Sequence, residues 1–104
     1  MVKVSVLYAN TPGCTFDMHY YLSTHMGICR EQLGAALKGI QVEQGLGGGA
    51  PGAPAPFVAM GHLLFDSVDA FQAAFTPAAA AAIQGDIPNY TNVAPMLQMS
   101  EVQL

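Results

Sequence analysis

Phe57-Val58-Ala59-Met60-Gly61-His62-Leu63-Leu64-Phe65 is apolar throughout except for His62. Read with period two, it splits into Phe57, Ala59, Gly61, Leu63, Phe65 and Val58, Met60, His62, Leu64. Both sets are apolar, so the run is expected to be a strand covered on both faces. A small sheet with helices on one side covers only one of them. The other needs a second cover, and another copy of the chain is the simplest one.

Upstream lies Gly45 to Pro56, where eight of twelve residues are Gly or Pro. Such a stretch sustains neither helix nor strand, and reads as a flexible loop joining two strands. Its glycines are not followed by the Lys-Ser/Thr of a phosphate-binding loop. The second strand is expected over Leu37 to Gln44, and the first over Val2 to Ala9, where Val2, Val4, Val6 and Tyr8 alternate with Lys3, Ser5, Leu7 and Ala9. Asn10-Thr11-Pro12-Gly13 is turn chemistry, after which Thr15 or Asp17 can cap a helix. That helix is expected from Asp17 to Ala36. At about 100° per residue, Met18, Tyr21, Leu22, His25, Ile28, Cys29, Gln32, Leu33 and Ala36 share a face centred on His25. Downstream, Ser67 can cap a helix carrying Val68, Phe71 and Phe75. Thr76-Pro77 restarts one, and Gly85 can end it. A last strand is expected within Val93 to Val102, at an edge or starting after Pro95. The order is β-α-β-β-α-β. It implies one α+β domain over residues 1–104, ferredoxin-like, with an antiparallel four-stranded sheet and both helices on one face.

The composition agrees. Of 104 residues, 52% are hydrophobic and only 10% charged, with 3 Lys+Arg against 7 Asp+Glu. Three cations build neither a nucleic-acid stripe nor a patch for an anionic membrane. No apolar stretch reaches the roughly 20 residues of a membrane span. The first residues lack a signal-peptide layout, so a cytoplasmic location is expected. Cys14 and Cys29 then read as free thiols. No dinucleotide or flavin fingerprint occurs, and His25 with His62 has no third metal ligand at a clear spacing, so no cofactor or metal is expected.

His25 is the leading candidate for chemistry. An imidazole on an apolar helix face is either a general acid/base lining a pocket or a satisfied core histidine. Tyr21, one turn away, can bond it or pack beside it. His62 and Met60 would line a pocket if their strand face encloses one. Tyr20 and Asp17 are pocket candidates on the same helix, although Asp17 also suits a cap. Asp86 and Tyr90 fall in the last connector, where a structural role is the simpler reading.

Phe16-Asp17-Met18-His19-Tyr20-Tyr21-Leu22-Ser23-Thr24-His25-Met26 resembles the FDxxYYxxxH segment of the EthD family, named from ether degradation. Gly39 to Gly45, Leu64 to Ser67, Asp86 to Thr91 and Gln98 to Val102 resemble further family positions in the same order. The resemblance implies a dimeric α/β barrel with a small-molecule pocket. It also implies a place beside oxidative degradation of small hydrophobic compounds, and the family label of reductase. Two functions are therefore expected as alternatives. One is cofactor-free oxidoreductase chemistry assisted by His25 and Tyr21. The other is a non-catalytic homodimer that binds a hydrophobic metabolite.

Overall fold

In the computed structural model, which describes residues 1–104, the Phe57–Phe65 run forms a strand, β3. It pairs antiparallel with β1 (Val2–Ala9) on one side and β2 (Gly39–Gln44) on the other. β4 (Met96–Glu101) completes the sheet against β1, giving the order β2-β3-β1-β4. This is the antiparallel ferredoxin-like α+β arrangement expected from the element order. β4 begins only after Pro95, which has no N–H to give the ladder. β2 begins at Gly39, two residues later than its hydrophobic pattern suggests, because Gly34–Ala36 closes as a 3-10 turn first.

The registers assign each face. Val4 pairs with Leu63, Val6 with Gly61 and Tyr8 with Ala59, and these side chains point toward the helices. Ser5 pairs with His62 and Leu7 with Met60, so they share the opposite, outer face. Ala59 and Phe65 are fully buried, whereas Met60, His62 and Leu64 are half-buried in the single chain. The two-faced apolar character of β3 thus corresponds to one packed face and one face left partly open.

The long helical run is not a uniform α-helix. Asp17 caps it, its Oδ1 accepting from the Tyr20 N–H at 3.0 Å. One turn of α-helix, α1 (Met18–Tyr20), leads into a π turn over Tyr21–His25, and α2 follows (Met26–Leu33). Within the π turn the Met26 N–H reaches back five residues to the Tyr21 carbonyl. The extra residue rotates the helix face. Tyr21, His25, Met26, Cys29 and Leu33 are buried, while Leu22, expected on the stripe, is about half exposed at 51%. Gly34, at φ 58°, ends α2 in a conformation that favours glycine.

α3 (Val68–Ala74) and α4 (Pro77–Gly85) carry the caps expected of Ser67 and Thr76, whose hydroxyls accept from the Ala70 and Ala79 N–H groups. Gly85 does not stand beyond the helix as a left-handed terminator. It is the last helical residue, and Asp86 takes the cap position in right-handed conformation.

One glycine is required by a close approach. A Cβ on Gly61 would overlap the Tyr21 hydroxyl oxygen. Gly61→Ala is expected to lower stability by about 1–3 kcal/mol, the usual cost of overpacking a core. Urea denaturation measures it; an unchanged midpoint would mean that Tyr21 moves freely.

Candidate functional site

Between the inner sheet face and the helices lies a cavity of about 270 Å³. β1 and β3 supply Val4, Val6, Tyr8, Gly61 and Leu63, and β4 adds Leu97. The π turn and α2 supply Tyr21, His25, Met26, Cys29 and Leu33, while Phe71, Phe75, Ile83 and Ile87 close the helical side. Of its 17 lining residues 13 are hydrophobic, and none is Lys, Arg, Asp or Glu.

His25 is the ionisable nitrogen base in that wall, and it is 4% exposed. Its Nδ1 lies 2.9 Å from Oδ2 of Asp86. A carboxylate only accepts, so Nδ1 carries the proton, and in the neutral ring Nε2 keeps the lone pair. Asp86 is buried too, where α4 ends and the Ile87–Asn89 turn begins. Its Oδ1 accepts from the Tyr20 hydroxyl at 2.6 Å and from the Asn89 amide at 2.9 Å. Burial pushes the Asp86 pKa up, but the hydrogen bonds from Tyr20, Asn89 and His25 outweigh it. They hold the carboxyl below its ordinary 3.8. The negative charge of Asp86 therefore persists at neutral pH and orients His25.

A second set of rings surrounds the imidazole. Tyr21 lies nearly parallel to it, with centroids 5.4 Å apart and planes at 12°. The Tyr90 hydroxyl stands 3.4 Å from Nε2 and 2.6 Å from the Tyr8 hydroxyl. Burial raises the pKa of Tyr8, Tyr21 and Tyr90, so all three stay neutral phenols. Tyr20 is raised chiefly because it donates to Asp86, whose bond a phenolate would forfeit. Cys29, in the same wall, is pushed up to about 11 by burial and is a thiol rather than a nucleophilic thiolate.

The structure brings together His25, Tyr21 and Tyr20 among the residues singled out from the sequence. It does not bring His62, Met60 or Asp17 to them. His62 and Met60 lie on the outer sheet face, with the sheet between them and His25, so one pocket shared by the two histidines does not form. Period two had separated His62 from Gly61 and Leu63 but could not say which face meets the helices. His62 is instead tied to Ser5, Nδ1 to Oγ at 2.8 Å, and to Glu43, Nε2 to Oε1 at 3.2 Å. This resembles a Ser–His–acid order, but Ser5 sits mid-strand in β1 between two paired strands. Its neighbouring N–H groups are committed to the ladder, which leaves no oxyanion hole there. Asp17 is exposed and serves as the helix cap. Three members of the buried network, Asp86, Tyr90 and Tyr8, were not singled out for chemistry: Tyr8 is placed by strand alternation, and Asp86 and Tyr90 read as structural. The signal for Asp86 and Tyr90 was the family-like stretch Asp86 to Thr91, in a connector that otherwise lacks acids.

These features define an α+β ferredoxin-like chain with an apolar cavity and a buried Asp–His pair in its wall. The chain belongs to the EthD family: the EthD domain model matches residues 15–94. Among solved structures, an EthD-like protein from Ralstonia eutropha JMP134 is 47% identical, with a TM-score of 0.92, covering 99% of this chain and 92% of that one. An ethyl tert-butyl ether (EthD) family protein from Bacillus halodurans C-125 shares the fold at 21% identity and TM-score 0.69, covering 99% of both chains. A protein of unknown function from Bacteroides fragilis NCTC 9343, described as dimeric and ferredoxin-like, shares it at 18% identity and TM-score 0.50, covering 97% and 95%. No curated protein matches the sequence. No helix is long and apolar enough to cross a membrane.

Proposed function

We propose that the chain takes a small hydrophobic molecule into the cavity and that His25, held by Asp86, exchanges a proton with it. The carrying observation is the single basic side chain, buried and oriented by a carboxylate, in a wall otherwise almost wholly apolar. A carboxylate behind an imidazole fixes its tautomer and supports the imidazolium that forms when the ring takes a proton. The volume is near the lower end for ligand sites, roughly 300 Å³, and well above the ~150 Å³ apolar cavity that holds benzene. Family membership supports placing this chemistry beside the oxidative breakdown of small hydrophobic compounds.

Toluene is the simplest probe of the cavity. Titration should shift the methyl resonances of Val4, Leu33 and Leu63 together; no shift at any of them would remove the binding site. Proton exchange is tested with a His25→Gln variant, whose amide still donates to Asp86 but has no comparable basic nitrogen. Full turnover of any converted compound by that variant would reassign the chemistry. Binding without turnover by either form would leave a binding module.

The outer sheet face supports a homodimer. Leu7, Met60 and Leu64 flank the Ser5–His62–Glu43 bonds on this half-covered surface, and a second copy would bury them. Light scattering at micromolar concentration should return twice the chain mass; the mass of one chain would refute it.

A further inference from the structure

The polar groups that face the cavity restrict what can occupy it. No lining residue is Lys, Arg, Asp or Glu, so an anionic or cationic ligand would be buried without a counter-charge. The Tyr8 and Tyr90 hydroxyls share a hydrogen bond at 2.6 Å, the Tyr21 hydroxyl is set against Gly61, and the Gln84 amide, also in the wall, belongs to a residue exposed to solvent. The Nδ1 of His25 is closed by Asp86 at 2.9 Å. The buried basic nitrogen of the wall is Nε2, with one long contact of 3.4 Å to Tyr90. That contact is long for a hydrogen bond, so the Nε2 lone pair can take a better-placed donor in a mostly apolar wall, where a donor gains most. The flanking walls at Tyr21, Phe71 and Phe75 are ring surfaces, suited to an aromatic guest.

We infer that the cavity selects a neutral, one-ring hydrogen-bond donor, a simple phenol, whose hydroxyl donates to Nε2 of His25. The inference rests on the cavity being a ligand site, as proposed above, and adds the chemical class of its occupant. Aromatic carboxylates of the same size are disfavoured, because no Lys or Arg lines the wall and Nε2 of the neutral ring offers their anion a lone pair rather than an N–H. Phenols are favoured over the hydrocarbon of the same shape, because the hydrocarbon leaves Nε2 with its weak contact alone. The hydroxyl keeps its proton in the complex and donates it as a hydrogen bond to Nε2, while Asp86 holds the ring through Nδ1–H in the tautomer that accepts.

Three ligands of matched shape test this on the unmodified protein: 4-methylphenol, toluene and 4-methylbenzoate, titrated at neutral pH by calorimetry. The expected order is 4-methylphenol tightest, toluene about tenfold weaker, as one hydrogen bond is worth, and 4-methylbenzoate without measurable binding. The ¹⁵N resonance of His25 Nε2 should move with 4-methylphenol and stay with toluene. A His25→Phe variant should bring the first two affinities together, and the ¹⁵N measurement stands if that variant fails to fold. Toluene binding as tightly as 4-methylphenol, or an unmoved Nε2 resonance, would overturn the phenol assignment while keeping the cavity. Binding of 4-methylbenzoate would overturn the charge argument. If none of the three bound, the ligand site itself would fall.

Discussion

Asp86→Ala is expected to lower stability by about 2–4 kcal/mol, the cost of leaving one buried donor unpaired together with the loss of further hydrogen bonds to a carboxylate. Its carboxylate accepts three hydrogen bonds, from the Tyr20 hydroxyl, the Asn89 amide and His25 Nδ1, at 2.6, 2.9 and 2.9 Å. Alanine leaves the His25 N–H buried without an acceptor, and burying such a group unpaired costs more than losing the bond itself. Asn89 is exposed and recovers water, so most of the loss belongs to the His25 side. Asp86→Asn keeps the shape and one acceptor oxygen, and should lose less. Denaturation in urea at pH 7 measures both. The same residue sets an acid limb. Its folded pKa lies below the ordinary 3.8, so its contribution is fully present above that value and is lost as pH falls through the lower folded one. Between pH 4 and the folded pKa, on the order of one carboxylate's slope should vanish in the Asp86→Ala variant. A mutant curve parallel to the parent would show that other carboxylates carry the acid response.

This pair also marks where sequence reading stops. His25 stood out because it lies on a periodic element, among residues whose spacing alone says which face is buried. Asp86 belongs to no periodic element, and its partner is 61 positions away in the chain. A contact between residues so distant is set by how α4 and the following turn pack, which no local pattern encodes. The strands were legible for the opposite reason. Val2–Ala9 carries Val or Tyr at every second residue and Phe57–Phe65 is a short apolar run between Pro56 and Asp66, and the observed boundaries of β1 and β3 coincide with these stretches. The limit was His62: alternation separates two faces but does not label them, and the residue fell on the outer one. The helix face was half legible. A stripe drawn at a constant angle is right for Tyr21, His25, Cys29 and Leu33. It puts Leu22 inside and omits Met26, because the five-residue hydrogen bond from Met26 to Tyr21 rotates the face within one turn. Capping was read at Ser67 and Thr76, and Asp17 proved the cap of the two candidates Thr15 and Asp17; in each the donor and acceptor are three residues apart.

Tyr21→Ala should be comparably destabilising, about 3–5 kcal/mol as for other large aromatic truncations, and should widen what the cavity admits. Tyr21 is 1% exposed and meets Tyr8, Phe16, Tyr90 and His25 within ring-contact distances of 5.0 to 5.7 Å. Removing the ring takes away those contacts and joins its volume to the cavity, at about 24 cal/mol for each Å³ that stays open. A two-ring phenol such as 2-naphthol should then bind the variant better than the parent, and should restore part of the lost stability in proportion to its occupancy. Tyr21→Phe separates the ring from its hydroxyl. The hydroxyl is the atom that a Cβ at Gly61 would strike first, with the ring carbon behind it at 3.3 Å. Gly61→Ala should therefore cost less in the Tyr21→Phe background than alone, with a coupling of about 0.5–1.5 kcal/mol in a double-mutant cycle. Some cost persists, because 3.3 Å is still tight for two carbons. Strict additivity would mean that the glycine is not required by the tyrosine hydroxyl. The π turn, which delivers Tyr21 and His25 to the same wall, would then place that hydroxyl free of a steric demand from β3.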